Sequence, residues 1–124
     1  MKVAIFGAGT MGSGIAQVFA AKGHVAMMYA SSVASAQRHR DKLAASLNKR
    51  VAKGKMTQEA ADDLMSRVVV EEFDAAADAD LVIECVAENM ATKKELLNKF
   101  LDLLLTAAIG AGLAALLLFL AVIV

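Results

Sequence analysis

A chain of 124 residues can hold one α/β domain and leaves no room for a second. The 13 Lys and Arg balance the 13 Asp and Glu, so no overall field selects nucleic acid or an acidic surface as a partner. The single cysteine, Cys85, excludes an internal disulfide and suits a reducing, cytoplasmic compartment, and no secretory signal is expected in a start that passes from Lys2 into a strand-length apolar run and then glycines.

The first element, Lys2 to Phe6, reads as a short buried strand. It leads into Gly7-Ala8-Gly9-Thr10-Met11-Gly12 and then an apolar-periodic helix over about 11–22, with Ala16, Phe19 and Ala20 on one face. Strand, G-x-G-x-x-G and helix in succession form the context in which the motif binds a dinucleotide. Gly7 allows a tight turn, Gly9 lets a pyrophosphate approach the backbone, and Gly12 lets helix and strand pack closely. The helix N-terminus adds N–H groups and partial positive charge. The plain alternative is a glycine-rich turn that binds nothing.

Gly23 closes this helix, and Val25 to Tyr29 is the second strand. Ser31 or Ser32 caps a long helix ending near Lys53 and Gly54. Thr57 caps another, over roughly 58–66. Val68 to Val70 is the third strand, Asp74 caps an alanine-rich turn over 75–78, and Leu81 to Val86 is a fourth strand apolar enough for burial on both faces. A helix follows from about Met90 to Leu104. Strands separated by helices predict a parallel sheet covered by helices, a truncated Rossmann-type α/β fold.

Charge is unevenly placed. Arg38, Arg40, Lys42, Lys49, Arg50, Lys53 and Lys55 crowd the second helix region against one acid, Asp41. Such a helix suits phosphate groups, or is simply a solvated face. No aromatic is interleaved for base stacking, which argues against nucleic acid. Beyond Asp102 the run 103–124 carries no charge at all.

Three stretches carry a family resemblance: Ile5 to Gln17, Lys53-Gly54-Lys55-Met56-Thr57, and Ala79 to Glu84 leading to Glu88-Asn89-Met90. Over about 1–102 the chain resembles the N-terminal part of the L-3-hydroxyacyl-CoA dehydrogenases, which include 3-hydroxybutyryl-CoA dehydrogenases of fatty acid metabolism. The resemblance implies a nicotinamide cofactor domain with a helical hairpin, here about 32–66, inserted between the second and third strands. It implies NAD contacts at Gly7, Ala8, Gly9, Thr10, Met11 and Gly12, at position 30, and at Glu88 and Lys93. It also implies contacts to the CoA portion of an acyl-CoA at Ser46 and Lys53. Glu88 and Lys93 read equally as a loop acid and a surface base.

Two departures matter. The family has Asp where this chain has Ala30, at the end of the second strand, where an acid accepts hydrogen bonds from the ribose. Losing a charge-assisted hydrogen bond removes roughly 1.5–3 kcal/mol. It also removes repulsion against a 2′-phosphate, which opens NADP, through Ser31, Ser32 and Arg38, as an alternative cofactor. The family's catalytic histidine, its glutamate partner and the following helical domain have no counterpart here, since His24 and His39 match neither position. No catalytic residue is assigned, no metal is implied, and the catalytic half would have to come from another chain.

The run 103–124 is read separately from the domain over 1–102. It is long enough to cross a bilayer as an apolar C-terminal helix, with Lys93, Lys94 and Lys99 holding the domain on the cytoplasmic side. The competing readings are a buried helix followed by a strand within Leu116 to Val124, and a segment with no evolved role. The functional alternatives are correspondingly a membrane-anchored, non-catalytic dinucleotide-binding module and a non-functional truncated or chimeric chain.

Overall fold

The computed structural model describes the backbone of residues 1–7, 9–85, 90–111 and 118–121, and the side chains of those residues except 90–93, 104, 106–111 and 118–121. The strands are β1 (Lys2–Phe6), β2 (Val25–Tyr29), β3 (Val68–Val70), β4 (Leu81–Glu84) and β5 (Leu118–Ala121). The helices are α1 (Thr10–Ala21), α2 (Val33–Ala52), α3 (Gln58–Ser66) and α4 (Met90–Ala111), with a 3₁₀ turn over Phe73–Asp78. All strand pairs are parallel, in the order β3-β2-β1-β4-β5.

The period of two along each strand sorts the apolar side chains into two cores. Val3, Ile5, Ala26, Met28 and Ile83 pack on one face with Ala16 and Ala20 of α1, Leu43 and Leu47 of α2, and Leu64 of α3. Ala4, Phe6, Met27, Tyr29 and Val82 pack on the other with Ala76, Ala79 and Phe100 of α4. Strands covered on both faces of the sheet must be apolar throughout, which is why β1 and β2 are buried over four consecutive residues each.

Local chemistry sets the element ends. Ser32 Oγ accepts from the Ser35 N–H at 3.0 Å and Thr57 Oγ1 from the Ala60 N–H at 3.1 Å, so both expected caps of the hairpin helices form. Gly23 and Gly54 follow α1 and α2 in left-handed conformations, φ 91° and 71°. Asp74 is not a cap. The 3₁₀ turn begins two residues earlier than expected, at Phe73, with Glu72 in the flanking position and no side-chain cap bond.

The apolar run 103–124 divides. It continues α4 as far as Ala111, with Gly110 in the last turn, where glycine weakens a helix. Instead of one helix to the end, Leu118–Ala121 then lies parallel to β4, pairing Leu81 with Leu118 and Glu84 with Ala121. The physical reason is the otherwise open edge of β4, whose backbone groups need partners that a helix cannot supply. No helix among the described residues is long and apolar enough to cross a membrane.

Candidate cofactor site

The carboxyl ends of three strands meet at one edge of the sheet. Phe6 stands opposite Tyr29 on one side and Glu84 on the other. The Gly7 N–H donates to Tyr29 O at 2.9 Å and the Cys85 N–H to Phe6 O at 2.7 Å, which carries the ladder just past the strand ends. From β1 the order runs one way to β2 and β3 and the other way to β4 and β5, so a crevice opens where open α/β sheets hold their ligands.

The glycine loop sits over this crevice. Gly7 has φ 100°, a left-handed turn that glycine adopts without steric cost. A Cβ on Gly12 would lie 1.7 Å from the Gly7 carbonyl oxygen and 2.8 Å from its carbon, so α1 is drawn onto the end of β1 as closely as backbones allow. A Cβ on Gly9 would meet nothing within 4 Å, which leaves that position open to solvent or a ligand. α1 has no side-chain cap and no acid in its first turn. The leading N–H groups of a helix have no intrahelical acceptor, and the first turn of α1 carries no acid of its own to set against a phosphate. Thr10 and Met11 are exposed beside them. Ala8 and Glu88 lie outside the described residues, as does the side chain of Lys93, although α4 includes its backbone.

Ala30 follows β2 and is half-buried against the core on the α1 side. Beside it a cleft of about 210 Å³ is lined by Tyr29, Ala30 and Ser32 from the end of β2, by Glu71 and Glu72 after β3, and by Lys99 of α4. Tyr29 forms its wall. That side chain is 5% exposed, and its hydroxyl has no hydrogen-bond partner among the described residues. Burial, then the carboxylates of Glu71 and Asp78, push the phenol well above its ordinary range. Lys99 Nζ stands 4.7 Å above the Phe73 ring. Sequence reading placed none of Glu71, Glu72 and Lys99 at the site. The available signal was a pair of acids directly after the third strand, at the same sheet edge as Ala30.

The basic helix resolves into two kinds of residue. Arg40 turns inward, its guanidinium donating to Val68 O at 2.7 Å and Met65 O at 3.0 Å, which ties α2 to the start of β3. Lys42, Ser46, Lys49 and Lys53 are exposed, and their spacing places them along one stripe of α2. His24 lies at the opposite edge of the sheet, its Nδ1 3.2 Å from the N-terminal ammonium. Cys85 adjoins the crevice, and burial with the nearby Glu84 carboxylate pushes its thiol upward, which keeps it protonated and poorly nucleophilic.

Residues 2–115 match the family model described as 3-hydroxyacyl-CoA dehydrogenase, NAD binding domain. The chain belongs to this family. The 3-hydroxyadipyl-CoA dehydrogenase of Escherichia coli K12 is 43% identical over 95 residues, 76% of this chain and 20% of that protein. A probable 3-hydroxybutyryl-CoA dehydrogenase of Bacillus subtilis is 37% identical over 96 residues, 77% of this chain and 33% of that protein. Among solved structures, 3-hydroxybutyryl-CoA dehydrogenase from Escherichia coli K12 superposes with a TM-score of 0.76 at 38% identity, over 83% of this chain and 22% of that one. The chain thus spans only a fifth to a third of the length of these relatives, and the family model it matches is that of an NAD binding domain.

Proposed function

We propose that this domain binds NAD across the carboxyl edge of β2, β1 and β4 and serves as the cofactor half of a 3-hydroxyacyl-CoA dehydrogenase. The pyrophosphate lies against Gly9 and the leading amides of α1, flanked by Ala8, Thr10 and Met11. By resemblance to the family, Glu88 and Lys93 are assigned as further cofactor contacts. The observation that carries this reading is the 1.7 Å approach that a Cβ on Gly12 would make to Gly7 O. Backbone packed that closely beside an open Gly9 and an uncapped helix end is the shape a pyrophosphate requires.

NAD, once bound, supplies the hydride acceptor. This chain's own residues hold and orient it. The exposed Lys42, Lys49 and Lys53, with Ser46 between them, offer phosphate-binding groups for the CoA portion of an acyl-CoA. Activation of the 3-hydroxyl needs a base at the carboxyl edge of the sheet. His24 sits at the opposite edge and His39 lies on α2, and neither is assigned as that base.

Titration of the purified 124-residue protein with NADH, followed by nicotinamide fluorescence, tests the reading. Saturable binding that is lost in Gly9→Ala supports it. Absence of saturation in a folded protein refutes it.

A further inference from the structure

The acid expected at the end of β2 is missing, yet the cleft beside Ala30 is not short of carboxylates. The β2–β3 register ends with Met28 opposite Val70. Glu71 and Glu72 therefore leave β3 at the level where Tyr29 and Ala30 leave β2, and all four line the same cleft. At about 210 Å³ this space exceeds what one or two waters fill and admits a sugar ring. A second, independent feature also asks for a ligand: Tyr29 is one of the residues lining the cleft, and its enclosed hydroxyl has no hydrogen-bond partner among the described residues. Buried hydroxyls are ordinarily hydrogen-bonded.

The charges in the cleft favour a hydroxyl donor over a phosphate. Glu71 and Glu72 face it with two carboxylates against the single ammonium of Lys99, which is already placed over the Phe73 ring. The N-terminus of α2 adjoins it through Ser32, but the Ser35 N–H there is taken by Ser32 Oγ. A ribose diol can donate to a carboxylate, whereas a 2′-phosphate would meet net negative charge.

We propose that Glu71 and Glu72 supply, from the end of β3, the ribose-hydroxyl acceptor that position 30 lacks, and that they make this cleft select NAD over NADP. The proposal rests on the dinucleotide-binding reading above and adds to it two specificity-determining residues. Ala30 is then a relocation of the acid to the neighbouring strand end rather than a change of cofactor.

The experiment is a parallel titration of the 124-residue protein with NADH and with NADPH, for wild type, Glu71→Gln/Glu72→Gln, Ala30→Asp, and the triple variant. Both glutamates are exposed, so their amides preserve the fold, checked by circular dichroism and thermal melting. Wild type is expected to bind NADH at least about tenfold more tightly than NADPH, from a charge-assisted hydrogen bond. The double variant erases that preference. Ala30→Asp gives little in wild type and restores the preference in the double variant. A double variant that keeps the wild-type preference, or a wild type that prefers NADPH, overturns the proposal and leaves the dinucleotide-binding reading standing. A folded wild type that binds neither cofactor overturns that reading itself.

Discussion

Gly12 stands so close to Gly7 that a Cβ at position 12 would fall 1.7 Å from the Gly7 carbonyl oxygen, while the same atom added at Gly9 would touch nothing within 4 Å. Two glycines of one motif thus do different work. One sets helix–strand packing, and the other leaves space for a ligand. Gly12→Ala should destabilise the domain by about 1–3 kcal/mol, because the obstructing atoms are backbone and the loop must move as a whole. It should abolish NADH binding as well. Gly9→Ala should melt like wild type but bind NADH at least about tenfold more weakly, the methyl occupying the space of the pyrophosphate. Paired melting and fluorescence titrations separate the two. Equal stability loss in both would contradict the assignment.

Arg40 belongs to the basic run of α2 but not to its solvent-facing stripe. Its bonds to Val68 O and Met65 O close the hairpin onto β3. Hydrogen bonds from a charged donor are worth about 1.5–3 kcal/mol. Arg40→Ala is expected to lower stability by about 2–3 kcal/mol in urea denaturation, whereas Lys42→Ala, at an exposed position, should change it by less than about 0.5 kcal/mol. Similar midpoints for the two variants would show that the inward bonds carry no net stability.

Tyr29 links stability to alkaline pH. Its folded-state pKa is raised above the unfolded value of about 10 by burial and by Glu71 and Asp78. The folded protein therefore retains a proton that the unfolded chain releases. This contribution is intact below about pH 10 and is lost as pH rises above it, at up to about 1.4 kcal/mol per pH unit. Tyr29→Phe should flatten that decline. At neutral pH it should leave stability unchanged or raise it by up to about 1 kcal/mol, since the hydroxyl it removes has no partner among the described residues. Chemical denaturation of both proteins between pH 7 and pH 11 checks this. A variant markedly less stable at pH 7 would mean that the hydroxyl is satisfied after all.

Much of the site was legible because its signals are local. The glycine spacing, the Ser32 and Thr57 caps and the apolar runs of β1 and β2 each depend on a few neighbouring residues, and each appears where expected. What escaped notice depends on pairing between distant segments. Nothing within Glu71-Glu72 says that β3 lies beside β2 and brings those acids next to Ala30. A row of cations likewise does not say which one turns inward, and Arg40 is chosen by carbonyls more than twenty residues away. For a related reason the tail left several readings open, of which the helix followed by a strand within Leu116 to Val124 corresponds to the structure. Hydrophobicity and length are shared by a membrane helix and a sheet strand, and only the open edge of β4 decides between them.

That edge supplies the last prediction. β5 pairs with β4 over Leu118–Ala121, and in a parallel ladder alternate residues of β5 direct their N–H groups toward the neighbour. Of Phe119→Pro and Leu120→Pro, one removes such a donor and the other removes a group facing away. Proline is tolerated at an edge strand only in the second case. The two variants should therefore differ in thermal stability, with the harmful one lower by about 1 kcal/mol or more. A segment held in a membrane as helix would respond otherwise. Both prolines would break the helix alike, and the protein would sediment with membranes through a carbonate wash. Unequal melting with no carbonate-resistant fraction is the outcome expected of a fifth strand.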